Sequence, residues 1–249
     1  MTINSFSSMM ISRLGAVLFI VAKLLRFFFF LIFLLLLTSK TQTLAGYSIN
    51  QAVFFFLTFN LVDTLSQFFF REVYRFRQLV VSGNLDLVLV KPISPLFRSL
   101  LGGADLFDMF MIIPFAIAII FYASSLHPTI EEIVSYVVLL ISGFGIAMAF
   151  HIFVLSLGIL TTEIDHAIMI YRDITSTGRV PIDIYQEPLR GFLTFIIPVG
   201  LMMTFPAKAL MGMTPWIWII IAIGISILFL GLSIKFWNYA LTQYTSASS

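Results

Sequence analysis

Six long apolar stretches constrain the fold of this chain more than any other feature of its sequence. A helix needs about 20 residues to cross a hydrocarbon core of about 30 Å, and a helix satisfies its own backbone hydrogen bonds there. With 60% hydrophobic and 10% charged residues, the chain is far more apolar than a soluble domain. We therefore predict an all-α integral membrane protein with six transmembrane helices, forming one domain over residues 1–249. The predicted spans are residues 24–42, 49–70, 106–126, 133–160, 191–207 and 216–237.

The lysines and arginines predict how the spans are oriented. Cytoplasmic loops retain positive charge, whereas translocated loops lose it. With both termini in the cytoplasm, 12 of the 14 basic residues fall on the cytoplasmic side and only Lys40 and Lys208 lie outside. The sequence therefore predicts a multi-pass protein in the lipid bilayer of the inner membrane, with cytoplasmic termini.

Residues 161–190 admit more than one interpretation. Arg172, Arg179 and Arg190 favour a cytoplasmic location for this segment. Its part 164–174 is compatible with an interfacial helix, or with part of a span that carries the following residues outward.

Several function classes are disfavoured by what the sequence lacks. Cysteine is absent, and His151 in the fourth span has no second His or Cys at ligand spacing, so we expect an interhelical hydrogen bond rather than a metal site. No glycine is followed by lysine, as a phosphate-binding loop for ATP would require. A formal charge of +2 gives no sign of a nucleic-acid partner. We predict no catalytic residue, no metal and no cofactor bound by this chain.

Residues 71–98 form a long charged segment between two spans. Val73, Phe76 and Val80 recur at helical spacing, which predicts a short amphipathic helix that ends at Gly83. Two interpretations follow from the spacing: a basic loop that binds lipid headgroups and fixes the topology, or a docking element for a cytoplasmic subunit.

The same segment carries a family resemblance. The run 82–86 (SGNLD) and the run 89–94 (LVKPIS), with Val180-Pro181, Ile197-Pro198 and Phe205-Pro206-Ala207 later in the chain, resemble the membrane (permease) subunit of type-2 ABC exporters. The resemblance covers about residues 23–237 and is greatest to the branch that includes multidrug and viologen exporters.

The resemblance implies an architecture and a set of partners. It implies a permease that pairs with a second copy or a related permease and with two copies of a separate ATPase subunit, which binds ATP and Mg and powers the export of a hydrophobic or cationic compound. It also implies an interfacial elbow helix in residues 1–23 and a cytoplasmic coupling helix in residues 71–98. The residues expected at the ATPase interface are Arg71, Glu72, Arg75, Arg77, Gly83, Asp86, Lys91 and Pro92.

Polar and proline residues within the spans supply further candidates. Asp63, with Asn60 beside it, would either meet a cationic substrate or bond to a neighbouring helix, because an unpaired charge is expensive at that depth. Asp105 and Asp108 begin the third span, where acids favour the positive end of a helix dipole. Pro198 and Pro206 predict a kink, or a re-entrant hairpin that gates the outer exit.

Small residues four apart in the fourth span allow close helix packing, either across a dimer or within one subunit. These are Gly143 with Ala147, and Gly145 with Ala149.

Two functions from other classes remain as alternatives. A self-sufficient secondary transporter, driven by an ion gradient, would have discontinuous helices in matching positions of two halves, whereas prolines break only the fifth span strongly. An intramembrane enzyme would need a motif such as His-Glu-x-x-His, which the chain lacks.

Overall fold

The computed structural model describes residues 13–161 and 164–245, and these ranges are helical, with one isolated bridge between Leu44 and Tyr47 in place of any sheet. The expected all-α architecture is therefore confirmed. The helices are α1 (Arg13–Thr41), α2 (Ile49–Phe70), α3 (Phe76–Val81), α4 (Asn84–Leu89), α5 (Pro95–Leu101), α6 (Leu106–Leu126), α7 (Ile130–Thr161), α8 (Ile164–Ser176), α9 (Leu189–Gly191), α10 (Phe205–Leu210) and α11 (Ile217–Gln243).

Five helices among the described residues are long and apolar enough to cross a membrane. They lie in α1, in α2 with its continuation into α3, and in α6, α7 and α11. The number rises to six only if Leu189–Ile196 and Gly200–Leu210, which are bent by 76° relative to each other, count as one span. These helices agree with the prediction of a multi-pass membrane protein.

Helix α1 is continuous from Arg13 to Thr41, a length of 29 residues. The predicted elbow helix covered residues 1–23. Its first 12 residues lie outside the described ranges, and from Arg13 onward the chain belongs to α1 rather than to a separate helix.

Helix α2 provides an axis along which other segments can be placed. Its 22 residues extend about 33 Å. Ser48 caps its first turn, and its last turn continues through a 3₁₀ turn, Arg71–Arg75, into α3. We call the two ends of the molecule the Tyr47 end and the Arg77 end, after residues beside the two ends of this axis.

Residues 164–184 run between these two ends. Asp165 at the start of α8 pairs with Arg77 at 3.6 Å. Arg179 lies over the ring of Phe59, halfway along α2. The Tyr47 hydroxyl then donates to Asp183 Oδ2 at 2.9 Å. The segment therefore follows the length of α2.

The stretch predicted as a fifth span with a proline break, residues 191–207, is bent by 76° between Leu189–Ile196 and Gly200–Leu210, and we call it the hairpin. Two π-helical turns, Phe192–Ile196 and Gly200–Thr204, flank the break at Pro198, whose ring leaves no N–H for a continuous helix. Arg190 before the hairpin and Lys208 near its end line one cavity with Asp183, so both ends of the hairpin lie at the Tyr47 end.

The hairpin packs against the middle of α7. A Cβ atom added to Gly143 would lie 2.8 Å from the carbonyl oxygen of Met202, so the glycine permits a close backbone approach. Gly145 instead faces Ser226 of α11. The small residues of α7 therefore pack within the subunit, one of the two arrangements expected from the sequence.

Candidate functional site

A cavity of about 280 Å³ lies between α1, α2, α6 and α8. Part of its wall is aromatic, formed by Phe27, Phe30, Phe56, Phe59 and Phe115. Three further apolar residues, Ala22, Leu24 and Met111, also line it. Its polar lining is mostly basic and consists of Lys23, Arg26, Asn60, Asp63, Thr64, Gln67, Arg71, Arg172 and Arg179. We call it the basic cavity. It contains both residues that the sequence suggested for a substrate path, Asp63 and Asn60.

Asp63 is the one acidic residue of the cavity lining. Its Oδ2 accepts a hydrogen bond from Gln67 Nε2 at 2.8 Å, one helical turn along α2. Lys23, Arg26 and Arg172 all lie close enough to interact electrostatically with it. Asn60 is not its partner, because the Asn60 amide donates to the carbonyl of Phe56 at 2.7 Å.

Two of the basic residues have carboxylate partners at the start of α6. Lys23 pairs with Asp108, which is fully buried, and Arg71 Nε lies 3.4 Å from Asp105 Oδ2. Asp105 also caps α6, since its side chain accepts from the backbone N–H of Phe107 at 3.0 Å. The sequence predicted the helix-terminus role of these acids but not their pairing with bases from α1 and the 3₁₀ turn.

The three remaining arginines have a different environment. Arg179 lies over the faces of Phe30 and Phe59, at 5.6 and 5.7 Å from the ring centroids. Among the described residues, Arg26 and Arg172 form no direct ion pair, although both interact with Asp63 at longer range. No spacing in the sequence links these arginines, because they come from α1, α8 and the turn after α8.

His151 in α7 makes a hydrogen bond within its own helix. Its Nδ1 lies 2.8 Å from the carbonyl oxygen of Ala147 and therefore donates to it. Its ring packs against Phe70 and Tyr171. The polar partner is intrahelical, not interhelical as expected from the sequence, because the carbonyl one turn back is within reach of the ring.

At the Arg77 end, the segment 71–98 folds into short helices linked by ion pairs. Glu72 is buried and accepts from Arg98 at 2.8 Å, and it lies 3.8 Å from Arg75. These contacts join the start of the segment to α5 at its end. Because a buried carboxylate needs its partners, this pairing fixes the shape of the segment.

A glycine turn separates α3 from α4. Gly83 has φ +70°, a backbone conformation that is strained for residues with a Cβ atom. Asp86, three residues later, lies beside the Tyr244 hydroxyl. Burial raises the pKa of Tyr244, and the Asp86 carboxylate raises it further. The turn thus places α4 against the end of α11.

The surface around this turn exposes apolar side chains. Val90 is 81% exposed and Leu87 is 60% exposed. Val81, Ile93 and Phe97 are exposed nearby in sequence. Lys91 and Pro92 are exposed between them. We call the exposed residues of 81–97 the apolar tip. It combines a hydrophobic surface with a polar border, as protein interfaces do.

A second cavity, of about 270 Å³, lies at the Tyr47 end beside the hairpin. Asp183 is central to it, since it pairs with Lys208 at 2.8 Å and accepts from the Tyr47 hydroxyl. We call it the hairpin cavity. Pro198 and Pro206, the predicted gate residues, are buried in the hairpin itself and are not part of the cavity lining.

Ionisation at the hairpin cavity follows from these contacts. Burial raises the pKa of the Tyr47 phenol. The Asp183 carboxylate, which accepts a hydrogen bond from this phenol, raises the pKa further. On the exposed rim, hydrogen bonds from Arg190 and from the backbone N–H of Gly191 lower the pKa of Glu187. The hairpin cavity is therefore a region of paired charges.

Comparison with known proteins gives one match. The sequence profile described as ABC-2 family transporter protein matches residues 20–248. No curated protein and no solved structure gives a significant match to the chain.

Proposed function

The chain belongs to the ABC-2 family of transporter proteins, and on that premise we propose that it is the membrane subunit of an exporter driven by ATP hydrolysis in a separate subunit. Membership implies a membrane-embedded permease with an ATPase partner. The proposal adds the direction of transport, the docking surface and the path of the transported compound.

The apolar tip is the observation that carries the proposal. Except for Val81, which ends the candidate span of α2 and α3, its exposed side chains belong to residues 87–97, outside the long apolar helices. Exposed apolar side chains grouped in this way mark interaction surfaces. An ATPase subunit seated on the tip would bury Leu87 and Val90, with Lys91 and Pro92 at the border of the contact.

The connection from the tip to the spans is short and rigid. Helix α2 continues without a loop through the 3₁₀ turn into α3, and the pair Glu72–Arg98 holds the two ends of the segment together. A displacement of the tip would therefore move α2, which lines the basic cavity.

We place the Arg77 end in the cytoplasm because most basic residues outside the spans lie there. Those of the segment 71–98 are Arg71, Arg75, Arg77, Lys91 and Arg98. The hairpin at the opposite end would then close the outer exit, and a second permease copy would complete the translocation path. The compound would enter at the basic cavity and leave past the hairpin.

Substitution of Val90 by Glu tests the docking surface. A buried carboxylate without a partner is strongly unfavourable, so we expect V90E to lose co-purification with the ATPase subunit and at least about tenfold of the ATP-driven transport. Ile130→Glu is the matched control, because Ile130 is 77% exposed at the start of α7, at the Tyr47 end. If V90E retains the ATPase as the I130E protein does, the docking assignment is wrong.

Gly83→Ala and Asp86→Asn test coupling rather than docking. An alanine at φ +70° is strained by about 1–2 kcal/mol, which would alter the angle between α3 and α4. We expect both variants to reach the membrane and to hydrolyse ATP with less transport per ATP. Normal transport by both would exclude this turn as the coupling element.

A secondary transporter is not favoured by membership of this family. Uphill transport by the purified chain in vesicles with an ion gradient and without nucleotide would establish it instead.

A further inference from the structure

The basic cavity contains more positive than negative charge. Five basic side chains line it, whereas three carboxylates, those of Asp63, Asp105 and Asp108, lie beside them. Two of the carboxylates pair with Lys23 and Arg71. Among the described residues, Asp63 alone is left to balance three arginines, which gives this part of the chain a surplus of two positive charges at the cavity.

Such a surplus is unfavourable at the wall of a membrane protein. A single Arg or Lys at the centre of a span is unfavourable by about 2.5–3.5 kcal/mol on insertion scales. Arg179 is partly stabilised by the rings of Phe30 and Phe59. Arg26 and Arg172 are exposed side chains with no direct ion pair among the described residues, and the carboxylate that attracts both is Asp63, at longer range. A bound anion would stabilise both.

The chemistry of the two arginines specifies which kind of anion. A guanidinium donates two parallel hydrogen bonds to a phosphate, sulfonate or carboxylate group, which gives both strength and orientation. The lining also includes phenylalanine rings, among them Phe27, Phe56 and Phe115. A volume of about 280 Å³ accommodates a headgroup with part of an apolar body, and not a macromolecule.

We propose that the basic cavity binds an amphipathic anion, with its acidic group on Arg26 and Arg172 and its apolar body on the phenylalanine rings. The inference rests on the proposed function in that the bound anion is the exported compound. It replaces the cationic substrate that Asp63 suggested in the sequence. Asp63 instead attracts the arginines to the cavity when no anion is bound.

Binding to the full chain in nanodiscs of phosphatidylcholine, without ATPase or nucleotide, tests the proposal. The probes are pyrenesulfonate and a pyrenylmethyl trimethylammonium salt, which share an aromatic body and differ in the sign of their charge. We expect the sulfonate to bind at least about tenfold more tightly than the ammonium compound. Equal binding, or preference for the cation, would overturn the proposal.

Variants assign the binding to the two arginines. We expect R26Q and R172Q each to weaken sulfonate binding by about tenfold, R172K to have an intermediate effect since lysine lacks the paired donors, and D63N to strengthen binding. Lys40→Gln is the matched control, because it removes one exposed charge from α1 outside the cavity. Wild-type binding by folded R26Q and R172Q would also overturn the proposal.

Nanodiscs that contain phosphatidylglycerol distinguish two sources of the same chemistry. Competition between this lipid and the sulfonate would identify a lipid headgroup as the anion, and undiminished sulfonate binding would identify a soluble compound. Because binding is measured on the permease alone, its outcome is independent of the docking experiment with V90E. Each of the two proposals can therefore fail without the other.

Discussion

The basic cavity and the hairpin cavity have similar volumes, about 280 and 270 Å³, but differ in whether their charged side chains are paired. In the hairpin cavity Asp183 has a lysine and a tyrosine hydroxyl within 3 Å. In the basic cavity Arg26 and Arg172 interact with a single shared carboxylate only at longer range. Charges that are satisfied within the chain stabilise the fold, whereas charges left for a ligand indicate a binding site.

The difference between the two cavities follows from which segments their charged residues connect. The paired residues of the hairpin cavity connect three separate segments: the loop before α2, the turn after α8 and the hairpin. Arg26 and Arg172 of the basic cavity make no comparable connection, since both are exposed and form no direct ion pair among the described residues. Substitutions in the two cavities should therefore differ in whether they affect stability or binding.

The largest effect on stability is expected for Asp183→Asn. The side chains of Lys208 and Asp183 are only 18% and 23% exposed, so D183N leaves a largely buried ammonium without its partner. We expect a loss of about 2 kcal/mol in the free energy of unfolding, less than for a fully buried pair. Thermal unfolding in detergent measures it, with Arg172→Gln as the control that should change by less than about 0.5 kcal/mol.

A second substitution tests whether the effect of D183N comes from the unpaired charge of Lys208. D183N combined with Lys208→Gln eliminates the uncompensated charge and should recover part of the lost stability. If R172Q destabilises the protein as much as D183N does, the distinction between the two cavities is wrong.

An effect of similar size is expected for Gly143→Ala, which tests how the hairpin packs against α7. The new Cβ atom would lie 2.8 Å from the Met202 carbonyl oxygen and 2.9 Å from its Cα, so α7 and the hairpin must separate. We expect a loss of about 1–3 kcal/mol. Gly224→Ala in α11 is the matched control, because a Cβ there has nothing within 4 Å. Equal stability of G143A and G224A would show that the hairpin is not seated on this glycine.

The smallest effect is a dependence of stability on alkaline pH. Because burial and Asp183 raise the pKa of Tyr47 in the folded protein, its contribution is complete below the unfolded value of about 10 and declines as the pH rises toward the folded value. We expect unfolding temperatures above pH 10 to fall less steeply for Tyr47→Phe than for the wild type. Parallel slopes would contradict the bond to Asp183.

Hydropathy was sufficient to predict most of the membrane-crossing helices. Long uncharged runs such as 133–160 have no alternative to a buried or membrane-embedded helix. Local chemistry was also readable where the partner is close in sequence. Asp105, for example, caps α6 as its position before an apolar run suggests.

The segment before the predicted fifth span has contacts that charge counting does not reveal. Counting positive charge predicts a cytoplasmic location for Arg179 and Arg190, and the structure adds that Arg179 lies over the rings of Phe30 and Phe59. Arg190 pairs with Glu187 at the opposite end from Arg77. The rule that cytoplasmic loops retain Lys and Arg describes loops in water. It does not cover an arginine whose charge is stabilised by aromatic rings.

Only the acidic residue of the basic cavity could be predicted from the sequence, and the grouping of its arginines could not. Asp63 is conspicuous in an apolar run, but its significance depends on Arg172, 109 positions further along the chain. No spacing within the sequence links α1, α2 and α8. The fold places the arginines beside Asp63, and for this reason the expected ligand is an anion rather than a cation.

Helix α8 has 13 residues and so reaches about 20 Å, some 10 Å less than a typical bilayer core. The chain completes the distance with 3₁₀ turns whose backbone groups need shielding from acyl chains. A bilayer that covered this face would therefore have to thin, or admit water next to the arginines, and either change would shorten the apolar barrier there.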